Sequence, residues 1–496
     1  MISSTFLLFA MYQLAHSMSC NHDNLPTPEL TKGNQNYMLP RRSSNFSPLR
    51  LVFDLRFLPN LTTLQLTTMQ TLLSYVQNQV GMATKVIPIS GNIFIPRCGE
   101  YWSFPPSLAG KCRSEATNKC GEVSQIPLDH LAPITLYDQF GNSRVLSGGT
   151  GAANADTLVY VTANSTLSCQ PGVLAYATPC YLDQMDRPIV GNINFCIDAP
   201  FSGSISDQQK VALHEVLHVL GFSASLFSFY RDENGQPRTP RCPDAAGCTD
   251  QDPPGYPPYD PSTRRFAVSP STVSAQGSLQ YLVTPSVRAV AQAYYGCGSL
   301  PGAPLEDIGG ASTAGSHWKE RLLFAELMTG YYDSDFSESL SEFTLAALAD
   351  SGWYSVDYSA TDAAPPLVWA RGEGCAPFAG ACGAAAAAGS LCTVRHADGC
   401  TFDRSAVGVC LGLAPVLDSC SLNSPYSNYR CDNRTGGSAA PATCGGGGSC
   451  FGTFFGPGGA CFGSNLTLGA TGGPRTPKCM RTRTPEGFGW PLVPLY

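Results

Sequence analysis

Two histidines four residues apart, with a glutamate beside the first, constrain the fold of this chain more than any other feature. They are His214, Glu215 and His218, in the sequence His-Glu-Val-Leu-His. Side chains at positions i and i+4 lie on one face of a helix, so both imidazoles can bind one metal ion. Glu215 lies one residue further round, where a general base for a metal-bound water is needed. The alternative is a buried helix whose histidines are satisfied by hydrogen bonds.

The residues around this motif predict a helix that ends at Gly221. Ser206 and Gln209 match a capping box with Ser206 as the N-cap. The apolar run 211–220 is typical of a helix buried on most sides, and Gly221 can adopt the left-handed conformation that ends it. Some zinc proteases carry a third histidine three residues after this glycine, but here that position is Ala224. The third ligand must therefore come from elsewhere.

A catalytic zinc needs three protein ligands and one open position. The histidines outside this helix and the N-terminal apolar segment are His22, His130, His317 and His396. His317 is the best candidate, because the glycine-rich segment before it lets backbone and imidazole approach a metal closely. An acidic third ligand stays open, and the downstream glutamates are Glu233, Glu306, Glu320 and Glu326. Met328 lies in a sequence that predicts a turn with a supporting thioether, although an ordinary core methionine is the alternative.

The composition favours a folded protein of several domains and argues against nucleic-acid binding. The chain has 496 residues, and two or three domains are expected for that length. Its net charge is −7, with no long cluster of lysine and arginine. Fifty glycines and 39 prolines indicate long loops rather than a helix-rich fold.

The N-terminus predicts secretion. Residues 1–17 contain an apolar core too short to span a bilayer, followed by small residues suited to cleavage. A membrane anchor is the alternative, but no later stretch predicts a transmembrane span and the C-terminus lacks a lipid-anchor tail. Five N-glycosylation sequons agree with secretion: Asn45, Asn60, Asn164, Asn433 and Asn465. We expect a secreted or extracellular glycoprotein.

Twenty-one cysteines predict a disulfide framework with one cysteine left over. The unpaired one is expected to be Cys20, just after the signal. A thiolate there can occupy the open zinc position and keep the enzyme latent until the pro-segment is removed. A bystander, or a cysteine bridged to another chain, is the alternative. Nine cysteines lie between Cys98 and Cys297 and eleven from Cys375 onward, so we expect at least one bridge to cross the boundary near residue 365, unless that boundary is misplaced.

The order of elements predicts an α+β fold, with the motif helix beneath a twisted sheet. The expected parts are a pro-segment at 18–45, a catalytic subdomain at 46–222, an insertion at 223–316, a third-ligand segment at 317–364 and a disulfide-rich C-terminal module at 365–496. We expect that module to contact an unidentified protein or glycan.

The apolar patterns place helices at 60–80, 285–295 and 341–349 and strands at 49–55, 85–89, 157–162 and 190–195. A further strand is predicted at Gly172, Val173, Leu174, Ala175, Tyr176 and Ala177. We expect that strand to form a sheet edge to which an extended peptide adds.

Several motifs together resemble leishmanolysin, a surface zinc endopeptidase of kinetoplastids. They are the motif helix with Gly221, the segment Ala314-Gly315-Ser316-His317, and Glu326-Leu327-Met328. Cys20-Asn21-His22-Asp23 is similar to the family's latency motif. The resemblance, over roughly residues 47–375, implies a metzincin-like fold, His317 as third ligand, Met328 in the Met-turn and Cys20 as the switch.

The motif helix, the N-terminal signal and the resemblance together predict a secreted zinc endopeptidase that binds one Zn²⁺ per chain and cleaves extended protein or peptide substrates. Glu215 is then the general base, and His214, His218 and His317 are the metal ligands. The segment between His218 and His317 is longer than is usual for that family. The rival hypothesis is a catalytically silent adhesion or binding protein of the same fold.

Overall fold

The computed structural model describes residues 17–19, 31–32, 46–59, 61–170, 172–196, 204–249, 252–263, 265–308, 314–333, 338–361, 367–380, 382, 391–412, 417–431, 459–467 and 474–481. The chain forms two compact units. The first spans 1–293, 298–320 and 325–367, and the second spans 294–297, 321–324 and 368–496. The predicted boundaries at 222 and 316 stay predictions.

The described part of the chain contains few helices and many short strands. The α-helices are α1 (Thr63–Ala83), α2 (Ile205–Leu220), α3 (Ala224–Phe227), α4 (Pro285–Tyr295) and α5 (Glu342–Asp350). The 3₁₀ helices are Leu128–His130, Tyr358–Ala360 and Ala376–Phe378. The strands are β1 (Ser17–Ser19), β2 (Thr31–Lys32), β3 (Ser47–Pro48), β4 (Leu51–Phe57), β5 (Thr84–Val86), β6 (Cys98–Tyr101), β7 (Cys112–Glu115), β8 (Ile134–Tyr137), β9 (Ser143–Leu146), β10 (Thr157–Thr162), β11 (Ala175–Leu182), β12 (Pro188–Phe195), β13 (Tyr259–Asp260), β14 (Arg265–Phe266), β15 (Val273–Gln276), β16 (Leu279–Leu282), β17 (Ala303–Pro304), β18 (Tyr331–Asp333), β19 (Ser355–Val356), β20 (Asp398–Cys400), β21 (Ala406–Gly412), β22 (Ser421–Arg430), β23 (Gly459–Thr467) and β24 (Pro474–Arg481).

A five-stranded sheet forms the centre of the first unit, with the strand order β2-β11-β12-β10-β4. Strands β4, β10 and β12 are parallel, whereas β11 is antiparallel to β12. β10, β11 and β12 are buried along their whole length, as expected for strands covered on both faces. Helix α2 packs against β11 and β12. The α+β prediction, with the motif helix against a sheet, is therefore confirmed.

Helix α2 begins two residues earlier than the sequence predicted. Its N-cap is Ser204, which accepts from the Asp207 backbone N–H while the Asp207 side chain accepts from the Ser204 N–H. The prediction of Ser206 as the cap was wrong, because this alternative capping box lies just before it and closes reciprocally. At the other end the helix stops at Gly221, with a φ of 155° that disfavours residues with a side chain.

Two short N-terminal strands add to the first unit. β1 pairs antiparallel with β18, and β2 pairs parallel with the end of β11, at Tyr181 and Leu182. Residues 1–16 of the predicted signal and Cys20 lie outside the described residues. Among the residues that are described, no helix has both the length and the apolar character needed to cross a bilayer.

The second unit consists of the three-stranded sheet β20-β21-β22 and the pair β23-β24, held by disulfides. The described bridges in this unit are Cys297–Cys375, Cys382–Cys420, Cys392–Cys410 and Cys400–Cys461. Cys297–Cys375 is a bridge across residue 365, as the cysteine counts predicted. The apolar cluster described in the second unit is small and centres on Val407. The disulfides therefore supply much of the stabilisation that a larger apolar core would give.

Disulfides also staple the first unit. The described bridges there are Cys98–Cys112, Cys120–Cys180, Cys169–Cys196 and Cys242–Cys248. The last one closes a local loop inside the predicted insertion. Such a density of bridges fits a protein that folds in the oxidising secretory pathway.

Candidate metal centre

Three buried imidazoles meet at one point in the first unit. The Nε2 atom of His218 lies 3.0 Å from Nε2 of His214 and 3.2 Å from Nε2 of His317. Nε2 of His214 lies 3.3 Å from Nε2 of His317. Across the residues that the structure describes, this is the one cluster of histidine, cysteine and acidic side chains suited to hold a metal.

The spacing and the donor chemistry fit a metal ion. Three nitrogen ligands of a tetrahedral zinc, each at about 2.0–2.1 Å, would be separated by about 3.3 Å. The observed separations of 3.0–3.3 Å match that value. Three nitrogens this close could not all carry a proton, so the cluster is suited to neutral imidazoles that share a cation.

Helix α2 supplies two of the imidazoles, and backbone carbonyls fix their orientation. Nδ1 of His218 donates to the carbonyl of Phe222, and Nδ1 of His214 donates to the carbonyl of Leu327, both at 2.7 Å. A proton held on Nδ1 leaves Nε2 with the lone pair that a metal requires. The sequence did not reveal these acceptors, because a backbone carbonyl carries no sequence signal.

His317 reaches the centre from a segment held between two others. Its carbonyl accepts from the Glu306 N–H, and the next residue, Trp318, donates its N–H to the carbonyl of Met328, both at 2.9 Å. Gly315 precedes it with a φ of 97°, and a Cβ there would lie 3.3 Å from the Arg265 guanidinium. A glycine therefore suits this approach, as the sequence predicted.

The Glu306 carboxylate stabilises the same segment. It accepts from Nζ of Lys319 and from the Glu320 N–H, at 2.8 and 2.9 Å. Both charged side chains of the Glu306–Lys319 pair are fully buried. Glu306 is thus used as an ion-pair partner rather than as a member of the histidine cluster.

Met328 is fully buried and lies in a turn that contacts both segments that carry the clustered histidines. The preceding residue, Leu327, accepts from His214, and Met328 itself accepts from Trp318. Glu326 closes the turn by accepting the Met328 N–H. Burial raises the pKa of Glu326 to about 6, against hydrogen bonds from Thr344, Ser341 and Met328.

The electrostatics of the site favour neutral imidazoles. Burial, together with the nearby His317, lowers the pKa of His214 to about 3. Glu215 follows His214 directly on α2 and is 1% exposed, so it belongs to the same buried region. Helix α2 therefore carries two neutral imidazoles suited to bind a metal and a buried carboxylate beside them.

The other candidate ligands lie elsewhere. Nδ1 of His130 is 2.8 Å from the Tyr160 hydroxyl, in a cluster with Arg56, and burial lowers the pKa of His130. His396 belongs to the second unit and is exposed. None of the rival glutamates belongs to the histidine cluster: Glu233, Glu306, Glu320 and Glu326. His22 and Cys20 lie outside the described residues.

The predicted edge strand is shifted along the chain. Strand β11 spans Ala175–Leu182, so Ala175, Tyr176 and Ala177 lie within it, whereas Gly172, Val173 and Leu174 precede it. Predicting an end at Ala177 was wrong, because Pro179 sits inside the strand at a register shift, where a residue without an N–H is tolerated. The role of this edge in substrate binding stays a prediction.

A histidine pair on a helix, a third histidine from a later segment and a buried methionine turn define a metzincin-like domain. The sequence profile of leishmanolysin matches residues 146–237 and 266–445, more than half of the chain. This chain belongs to the leishmanolysin family. The unmatched gap, residues 238–265, lies inside the predicted insertion.

Curated relatives agree with this membership. The chain is 39% identical over 286 residues to a leishmanolysin-like peptidase of Drosophila melanogaster, covering 53% of this chain and 39% of the relative. It is 33% identical over 305 residues to the ciliated left-right organizer metallopeptidase of Mus musculus, covering 58% and 40%. A leishmanolysin homolog of Crithidia fasciculata is 33% identical over 241 residues, covering 47% and 29%. The chain thus spans about two fifths or less of the length of these relatives.

Proposed function

We propose that this protein is a secreted zinc endopeptidase that hydrolyses peptide bonds in extended protein substrates. The observation that carries the proposal is the buried cluster of three imidazole Nε2 atoms, 3.0–3.3 Å apart, on a helix that also bears Glu215. Family membership supports the same activity, because the relatives above are named as peptidases.

His214, His218 and His317 are the proposed ligands of one zinc ion per chain. When bound, zinc supplies Lewis acidity and lowers the pKa of a water toward neutrality. The histidines contribute fixed geometry, because the carbonyls of Leu327 and Phe222 hold two of the rings before any metal arrives. Nitrogen ligands in this number leave one position open for chemistry.

Glu215 is the proposed general base. Its carboxylate oxygen takes a proton from the attacking water as the water oxygen bonds to the scissile carbonyl carbon. The same oxygen then gives that proton to the amide nitrogen as the carbon–nitrogen bond breaks. The second proton of the water remains on the new carboxyl group, so the products are a carboxylic acid and an amine, which become carboxylate and ammonium when that proton passes to the amine, and Glu215 returns to its starting state.

The edge of the central sheet is the proposed substrate platform. Ala175 and Tyr176 begin β11, and one side of that strand pairs with β12. An extended peptide can add to such an edge through main-chain hydrogen bonds. β2 already pairs with the far end of β11, at Tyr181 and Leu182. This pairing supports the capacity of the edge to accept another strand.

Cys20 is the proposed latency switch. Strand β1 ends at Ser19, one residue before it, and pairs with β18, which begins three residues after Met328. This pairing supports a pro-segment that lies near the metal centre. A Cys20 thiolate at the fourth ligand position would exclude the water, and removal of the pro-segment would restore activity.

The test compares Glu215→Ala with the wild type on a casein substrate, with and without a zinc chelator and after removal of the pro-segment from both proteins. We expect the wild type to cleave casein in a chelator-sensitive way. Glu215→Ala should keep its zinc and its fold but lose about 10²–10⁴-fold in hydrolysis, the usual contribution of a general base. Retained hydrolysis would contradict the assigned base, and an inert, zinc-loaded wild type would favour the adhesion hypothesis.

A further inference from the structure

Glu326 is a buried carboxylate surrounded by donors. Its side chain is fully buried, and one oxygen accepts the Met328 N–H. The other oxygen accepts from the hydroxyls of Ser341 and Thr344, at 2.7 and 2.6 Å, and from the Ser341 N–H at 3.3 Å. Four donors on one carboxylate stabilise its ionised form and fix its position.

These contacts lead directly to two ligand-bearing segments. Fixing the Met328 N–H fixes the turn that contains Leu327, whose carbonyl orients His214. The Met328 carbonyl accepts from the N–H of Trp318, the residue after His317.

A second connection passes through a hydroxyl. The indole N–H of Trp318 donates to Oγ1 of Thr344 at 2.9 Å, and the Thr344 hydroxyl donates in turn to Glu326. The carboxylate therefore connects α5, the methionine turn and the third-ligand segment.

We propose that Glu326 is a positioning residue for the metal centre: by anchoring the Leu327–Met328 turn it sets the orientation of His214 and the placement of the His317 segment. The inference rests on the proposed zinc site. Glu326 does not itself join the histidine cluster.

A residue that only stabilises the fold would lower the unfolding temperature when it is replaced, without changing the zinc affinity. Groups that orient metal ligands typically change metal affinity by about 10–100-fold when they are altered. A glutamine at 326 would turn its amide N–H₂ group toward surrounding donors, so at least one donor, such as the Met328 N–H, would lose its acceptor. An aspartate keeps the charge, but it is one methylene too short to reach both the turn and α5.

The experiment measures zinc affinity by chelator competition and the unfolding temperature of the metal-free, full-length chain. The test variants are Glu326→Gln and Glu326→Asp. Glu342→Gln is the charge control, since Glu342 is exposed in the first turn of α5, the helix that carries Thr344. Val86→Ala is the stability control, because Val86 is fully buried in β5, outside the contacts described here.

We expect both Glu326 variants to bind zinc about 10–100-fold more weakly than the wild type, with the two controls within about twofold. If Glu326→Gln does not fold, Glu326→Asp decides the matter. Wild-type zinc affinity in the Glu326 variants, even with a lowered unfolding temperature like that of Val86→Ala, would overturn the inference. Absence of zinc binding in the wild type would remove the proposed function itself, and this inference with it.

Discussion

His317 supplies the one imidazole of the histidine cluster that does not come from helix α2, and the proposed metal centre depends on it. The pair His214 and His218 follows from helical spacing alone, because positions i and i+4 must share a face. His317 lies 99 residues beyond His218, and no local rule connects that separation to a contact in space. Its glycine-rich approach made it the best candidate but left the glutamates open. The buried ion pair of Glu306 and the four donors on Glu326 had no sequence signal.

Removing the third imidazole should abolish stable metal binding. We expect His317→Ala to lose stoichiometric zinc, because two ligands on one helix leave the ion bound too weakly to survive dialysis. His396→Ala is the matched control, since His396 is exposed in the second unit. Elemental analysis after dialysis checks both variants. Equal zinc content in the two would show that the third ligand is another residue.

At the scale of elements, helix α2 and the strands β11 and β12 against which it packs set the position of the site. The sequence predicted α4 at the residues where it is found, because Pro285 suits the first turn of a helix. It misplaced the start of α2, because two capping sequences overlap there: Ser204 with Asp207, and Ser206 with Gln209. It also could not show that Gly191 of β12 lies against Val219 of α2, which depends on tertiary packing.

Adding a methyl group where β12 packs against α2 should destabilise the fold. A Cβ at Gly191 would lie 2.5 Å from Cγ1 of Val219 and 3.0 Å from the Thr178 carbonyl. We expect Gly191→Ala to lower the free energy of unfolding by about 1–3 kcal/mol, as overpacking usually does. Val219→Ala in the same chain removes the clashing methyls, so the double variant should lose less than the sum of the singles. Strict additivity in chemical unfolding would contradict this packing.

At the scale of the whole molecule, disulfides staple both units of the described chain. The cysteine counts predicted a bridge across residue 365, and Cys297–Cys375 is that bridge. The other pairings could not be read from the sequence, since each depends on which cysteines the fold brings together. Glycosylation, the signal and the partner of the second unit stay predictions. Among the sequons, Asn164 is half-buried in the first unit, where it contacts Asn194.

Loop length should decide what each bridge contributes. Cys120–Cys180 has a sequence separation of 60, and Cys242–Cys248 a separation of 6. In the chain-entropy account these loops correspond to about 4 and about 2 kcal/mol. We expect the double alanine variant of the first pair to lose about 2 kcal/mol more unfolding free energy than that of the second. Equal losses would point to strain or residual structure in place of chain entropy.

In the proposed metal centre three imidazoles hold one zinc and leave a position open. X-ray absorption at the zinc edge tests it most directly, on purified protein whose pro-segment has been removed. We expect one zinc per chain with three imidazole nitrogens and one oxygen at about 2.0–2.1 Å, and no sulfur. Two imidazoles with an added protein carboxylate, or a persistent sulfur ligand, would contradict it.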